Sequence, residues 1–159
     1  MSRPLTAAVV DSSALMCIAK NEDAALLFLN ELTRVDQLFI SAVTLSEVLL
    51  ASISAKEAGV VGAMQDLITS LQITTVDYTA ADVQDYVQAA SIHHMKAKPP
   101  GPLNMGDIFS FQLAQKMDLP LFFQGLDFLK PPVKNAMRMR GYLMDANNKG
   151  VPTVPQPIP

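Results

Sequence analysis

Four short runs of apolar and β-branched residues, 6–10, 38–40, the threonine-rich 73–76 and 121–123, alternate with longer stretches whose apolar side chains recur at helical spacing, and few folds satisfy that alternation. Strands separated by helices predict a parallel sheet with helices on both faces, in which functional groups collect where strands end at their C-termini. The run 6–10 ends at Asp11, and Ser12 or Ser13 can cap a short helix to residue 18. Residues 22–32 have helical spacing. Ser41 opens a helix carrying Val43, Leu45, Val48, Leu49 and Ile53, and Gly59 interrupts the pattern before it resumes over 60–71. Thr79 starts another helix, and after the proline-rich loop 99–102 Asn104 caps one running to about residue 117.

Beyond Phe128 the pattern decays. Pro131 and Pro132 break it, a short amphipathic piece spans 133–143, and the last nine residues hold four prolines. The expected organisation is one domain over 1–132 and a C-terminal extension over 133–159, its end mobile or extended. At 159 residues and 50% hydrophobic, the chain suits a single core. No apolar run approaches the roughly 18 residues of a membrane span, so the expectation is a soluble, cytoplasmic protein without a membrane partner. Cys17 is read as core, and His93 and His94, beside Lys96 and Lys98, as solvated surface.

The acids carry the chemistry. An ionised Asp11 directly after an apolar strand is costly to bury unless it meets a cation or several donors. Glu47 lies in Ile-Ser-Ala-Val-Thr-Leu-Ser-Glu-Val-Leu-Leu, an otherwise core-facing stretch. Asp107 occupies the first turn of the helix opened by Asn104, where interaction with the helix dipole is an alternative role. Asp127 follows the last strand and a glycine, so it can stand beside Asp11 at the sheet edge, or be an acidic turn residue. Four carboxylates converging there would repel one another, and Mg2+ or Mn2+, which favour oxygen ligands as zinc does not, are the usual remedy. A cation so held supports phosphodiester hydrolysis.

Charge is uneven along the chain. Residues 1–95 hold four basic and eleven acidic side chains, whereas 96–159 hold eight basic and four acidic, around a net charge of -3. Lys130, Lys134, Arg138 and Arg140 are therefore candidates for holding substrate phosphates, with solubilising surface charge as the alternative.

The segments Val-Val-Asp11-Ser-Ser-Ala-Leu, Ile-Ser-Ala-Val-Thr-Leu-Ser-Glu47, Leu-Asn-Met-Gly-Asp107-Ile-Phe-Ser-Phe-Gln-Leu-Ala and Leu-Pro-Leu-Phe-Phe-Gln-Gly-Leu-Asp127-Phe, in this order and spacing over residues 6 to 130, resemble those of PIN-domain ribonucleases, in particular the VapC-like toxins of toxin-antitoxin pairs. The resemblance implies a three-layer α/β/α fold with a mostly parallel central sheet and Mg2+- or Mn2+-dependent endonucleolytic cleavage of RNA. It also implies homodimerisation and inhibition by an antitoxin inserted into the active-site groove. Asp11, Glu47 and Asp107 match the three family acids, Asp127 the more variable fourth, and Ser12 or Ser13 would orient a carboxylate or a metal-bound water. Two departures stand out: Leu126 replaces a residue often polar in relatives, and the long Pro-rich end has no counterpart in a typical toxin.

Other functions fit less well. A haloacid-dehalogenase phosphatase needs a second Asp where Ser13 stands, and a nucleotide-binding fold needs a Gly-rich loop after the first strand. A PIN nuclease of RNA processing outside a toxin pair, or a non-catalytic PIN-like module that binds RNA or protein, are the alternatives. The second would gain stability by losing mutually repulsive acids.

Overall fold

The computed structural model describes residues 4–157. Strands β1 (Ala7–Val10), β2 (Gln37–Ser41), β3 (Thr74–Val76) and β4 (Leu121–Phe122) form one parallel sheet in the order β3-β2-β1-β4. β1 pairs Val9 with both Phe39 and Leu121, so it is central, and its residues Ala8, Val9 and Val10 are completely buried. That burial on both faces is why the strand reads as a continuous apolar run rather than an alternating one.

Helices α1 (Ser12–Ala19), α2 (Ala25–Leu32), α3 (Ala42–Ile53) and α4 (Val60–Ser70) fill the crossovers that step from β1 through β2 to β3. Right-handed connection places all four on one face, where α1 meets α2, α3 and α4. The chain then reverses. A 3-10 turn (Ala80–Asp82), α5 (Val83–His93) and α6 (Met105–Met117) carry it to β4 on the other side of β1. α6 lies against β1, β2 and β4 with α5 packed on it, so seven consecutive residues, Ile108 to Ala114, are buried. The result is the expected three-layer α/β/α fold, and its topological switch point falls between the C-terminal ends of β1 and β4.

Two local expectations change. The helix read over 22–32 begins only at Ala25, because the Glu22 carbonyl accepts the Ala25 N–H in a preceding turn. The 133–143 piece is helical only as α7 (Ala136–Met139), capped by Asn135.

The C-terminal region packs onto the domain rather than trailing from it. Leu121 N–H donates to the Lys134 carbonyl at 2.8 Å, giving the outer edge of β4 a partner, and Ala136, Met137 and Met144 are buried in the common core. The compact unit therefore runs past residue 132. Leu143 and Thr153 form an antiparallel bridge with both hydrogen bonds made, and Pro152 is buried, so this part of the Pro-rich end is extended but anchored. Residues 154–157 are exposed, and the expectation for 158–159 lies outside the described residues. No helix among the described residues is long and apolar enough to cross a membrane.

One buried ion pair ties the C-terminal region down. Glu31, in the last turn of α2, is 3% exposed and accepts from Arg140 Nε at 2.5 Å and from Tyr142 Oη at 2.9 Å. Breaking a buried pair leaves a charge without compensation, which costs far more than the pair contributes over an apolar substitute. Replacing Arg140 with Met should therefore lower unfolding free energy by about 2–4 kcal/mol, measured in urea, while a Glu31→Gln/Arg140→Met double variant recovers part of the loss.

Candidate active site

Asp11 is the first residue beyond β1, with its N–H on the Phe122 carbonyl at 2.9 Å, and it is 2% exposed. Its carboxylate is satisfied by donors from two elements. Oδ2 accepts from the Ser13 N–H at 3.0 Å and from Ser13 Oγ at 2.6 Å, which also caps α1, and Oδ1 accepts from Ser110 Oγ at 2.5 Å across the domain in α6. Donors of this kind make an ionised carboxylate tolerable in a buried position. Ser13 Oγ in turn accepts the Gln124 N–H at 3.0 Å, joining the end of β1 to the end of β4. Of the two serines expected to orient a carboxylate, Ser13 is the one in contact, and Ser12 is its half-buried neighbour in α1.

Asp107 has both roles that the sequence left open. It is the third residue of α6 in a capping box, its Oδ2 accepting the Asn104 N–H and Asn104 Oδ1 accepting the Asp107 N–H, each at 2.9 Å. It also faces the other acids. Burial, opposed by the Asn104 N–H and reinforced by the charges of Asp11, Asp127 and Glu47, pushes its carboxyl up to about 7. Glu47 is an exposed residue overall, yet its carboxylate lies against Gly106, where an added β-carbon would come within 2.5 Å of Oε1. Burial and then the Asp11 charge raise its pKa, and the same two causes in the same order raise that of Asp127, which stands in the turn after β4. The four acids thus share one electrostatic environment at the switch point.

Sequence reading missed Ser110 and Thr44. Ser110 is 1% exposed, bonds Asp11 and lies 3.3 Å from Thr44 Oγ1, itself 1% exposed. A signal existed: Thr44 and Glu47 on α3, and Asp107 and Ser110 on α6, are spaced three apart, which puts each pair on one helix face.

The basic residues behave otherwise than expected. Lys134 pairs with Asp118 at 2.6 Å beside the start of β4, at the sheet end opposite Asp11. Arg138 donates through Nε and its terminal nitrogen to the Met144 carbonyl, and Arg140 holds Glu31. These three serve the fold of the C-terminal region rather than a phosphate track. Lys130 is exposed on the segment leading away from Asp127. Cys17 is buried core, its thiol pushed up to about 11 by burial first, and is correspondingly inert. His93 is not simply solvated: its ring lies tilted against that of Phe111 with centroids 4.7 Å apart, and burial lowers its pKa.

The four acids and the hydroxyls of Ser13, Ser110 and Thr44 offer oxygen, the donor that Mg2+ and Mn2+ favour. Among the described residues no three His, Cys, Asp or Glu side chains stand close enough together to hold a metal ion as they are. Asp11 and Asp107 direct oxygens to Ser13, Ser110 and Asn104. The donor set fits a hard divalent cation in type.

Linkage fixes the sign of a pH effect in the metal-free chain. Because the folded Asp107 binds its proton up to about 7 while the unfolded residue releases it near 3.8, stability falls as pH rises between those values and then levels. Asp107→Asn, which keeps an acceptor for the Asn104 N–H, should melt like the parent near pH 4 and above it at pH 8, by on the order of 1 kcal/mol. Thermal melts in chelator across that range check this; parallel curves would mean that the Asp107 carboxyl is not raised by its burial and its neighbours.

Comparison with known proteins agrees with this geometry. The family profile of the PIN domain matches residues 8–134. The chain is 26% identical over 132 residues to Ribonuclease VapC28 of Mycobacterium tuberculosis, covering 83% of this chain and 99% of that protein. It is 29% identical over 131 residues to Ribonuclease VapC42 of the same species, covering 80% and 98%. Among solved structures, VapBC2 from Rickettsia felis bound to a promoter DNA fragment matches with a TM-score of 0.62 at 16% identity, over 81% of this chain and 96% of that one. Mycobacterium tuberculosis VapC20, a Sarcin-Ricin loop cleaving toxin, matches with a TM-score of 0.63 at 13% identity, over 79% and 95%. With the family profile spanning both strands that flank the switch point and all four acids gathered there, the chain belongs to the PIN domain family.

Proposed function

We propose that the protein is an endoribonuclease of the VapC kind, the toxin of a toxin-antitoxin pair, which hydrolyses RNA phosphodiester bonds with Mg2+ or Mn2+ held by Asp11, Glu47, Asp107 and Asp127. The observation that carries this reading is the gathering of four carboxylates at the switch point around an Asp11 held by Ser13 and Ser110. Relatives at 26% and 29% identity, both named as ribonucleases, support the activity. A cytoplasmic location, a homodimer and a protein antitoxin that covers the acidic groove complete the proposal, and the VapBC complex among the structural neighbours supports the last of these.

In this reading Asp11 is the central ligand. Its two serine partners fix the direction of its carboxylate through bonds to both oxygens. Asp107, whose carboxyl burial and acidic neighbours push up to about 7, would be the ligand most responsive to a bound cation, which would offset those neighbours and favour its ionised form. Glu47 reaches the site past Gly106, where any side chain would push its carboxylate aside. When bound, the cation would polarise a phosphoryl oxygen and make a bound water acidic enough to supply hydroxide near neutral pH.

Cleavage of a structured RNA should vanish in chelator, return with Mg2+ or Mn2+, and fall by about 100-fold or more in Asp11→Asn. Excess Mg2+ should raise the melting temperature of the parent but not of that variant. Undiminished cleavage in chelator would refute the mechanism, and a parent that neither cleaves nor responds to Mg2+ would indicate a binding module instead.

A further inference from the structure

The family profile ends at residue 134, and relatives covered over 98–99% of their length match only 80–83% of this chain, so the residues after 134 lie outside the family profile as an addition to it. That addition returns to the candidate active site. Gly125, in the turn between β4 and Asp127, donates its N–H to the Gly150 carbonyl at 3.0 Å, while Gly150 donates its own to the Asp145 carbonyl at 2.8 Å. The two glycine backbones touch so closely that a β-carbon on Gly150 would overlap the Gly125 carbonyl, and Gly150 has φ +67°. Gly125, at φ +108°, adopts a conformation open to glycine alone, so the turn itself supplies little that would hold it in place.

We propose that residues 143–153 form a strap that positions Asp127, with Gly150 as the contact that sets the turn from Gln124 to Phe128. The strap is built to be rigid. Asp145 Oδ1 accepts the N–H groups of Asn147 and Asn148 at 2.9 and 3.2 Å, and Asn148 reaches Leu143 O and Thr153 Oγ1 at 3.1 and 3.3 Å. Leu143 and Thr153 close its base, Arg138 grips the Met144 carbonyl, and Arg140 and Tyr142 fasten the preceding residues to buried Glu31. The other side of the turn is held by Ser13, through the Gln124 N–H, so Asp127 sits between an anchor tied to Asp11 and an anchor tied to the C-terminal addition. Held this way, an exposed carboxylate with no capping bond of its own stays near the other acids.

The proposal rests on Asp127 belonging to the metal site, and the test separates the two. Mn2+ affinity of the metal-free full-length protein is measured by calorimetry, and kcat and KM on RNA separately, for the parent, Gly150→Ala, Asp127→Asn and their double variant. Gly59→Ala is the control, since Gly59 also has positive φ with nothing near its β position and lies in neither the strap nor the turn. Gly150→Ala should weaken Mn2+ binding and lower kcat by about tenfold with KM unchanged, Gly59→Ala should match the parent in both, and the double variant should be no worse than Asp127→Asn alone. Should Gly150→Ala fail to fold, Asn148→Ala, which loosens the strap without touching the turn, should give the same pattern at about threefold. Parent-like Mn2+ affinity and kcat in Gly150→Ala or Asn148→Ala, or losses that multiply in the double variant, overturn the strap. A parent that binds no Mn2+ and cleaves no RNA overturns the site reading and the strap with it.

Discussion

The rest of the site depends on one buried carboxylate. Asp11 stands at the end of the central strand, almost wholly removed from water, where an ionised group survives only if donors replace its hydration. Ser13 supplies them from the helix that follows, and Ser110 from a helix 99 residues further on. The first bond starts α1 at the strand end. The second sets the depth at which α6 lies across the sheet, and so where Asp107, one turn earlier on the same helix, meets the other acids. Local capping and long-range assembly use the two oxygens of one side chain.

The other acids are brought in by geometry that resists their mutual repulsion. α3 and α6 each carry a hydroxyl and a carboxylate three residues apart, with the hydroxyls meeting in the interior and the carboxylates toward the edge. Gly106 leaves the space in which Glu47 rests against α6. Burial of Asp107, opposed by its bond to Asn104 and reinforced by its acidic neighbours, pushes its carboxyl up to about 7. A group so placed changes protonation readily with the charge nearby, a property common to functional clefts.

The C-terminal region shows how a charge count misleads. An excess of basic residues after residue 96 suggests a phosphate-binding face, yet Lys134, Arg138 and Arg140 each find a partner within the fold. The Glu31 that pairs with Arg140 is buried in the domain, and its position in α2 carries no mark in the sequence. Anchored there, the added segment becomes part of the domain and reaches the turn that bears Asp127.

The sequence by itself determined the parallel α/β architecture and the candidacy of Asp11, Glu47, Asp107 and Asp127, because hydrophobic period, capping residues and strand-end acids are local properties that survive without coordinates. It also made Asn104 a cap, since an Asn three residues before an Asp is legible as a capping box. Tertiary structure alone decided that Ser110 and Thr44 belong with Asp11, that Gly106 makes room for Glu47, and that Asp107 serves the helix and the cluster at once. It alone decided, too, that residues beyond 132 fold back, because the partners of Arg138, Arg140 and Gly150 are Met144, Glu31 and Gly125, the last two more than twenty residues away along the chain. Hydrogen bonds and ion pairs between distant segments depend on where two surfaces come to rest, and no periodicity in either segment encodes that meeting.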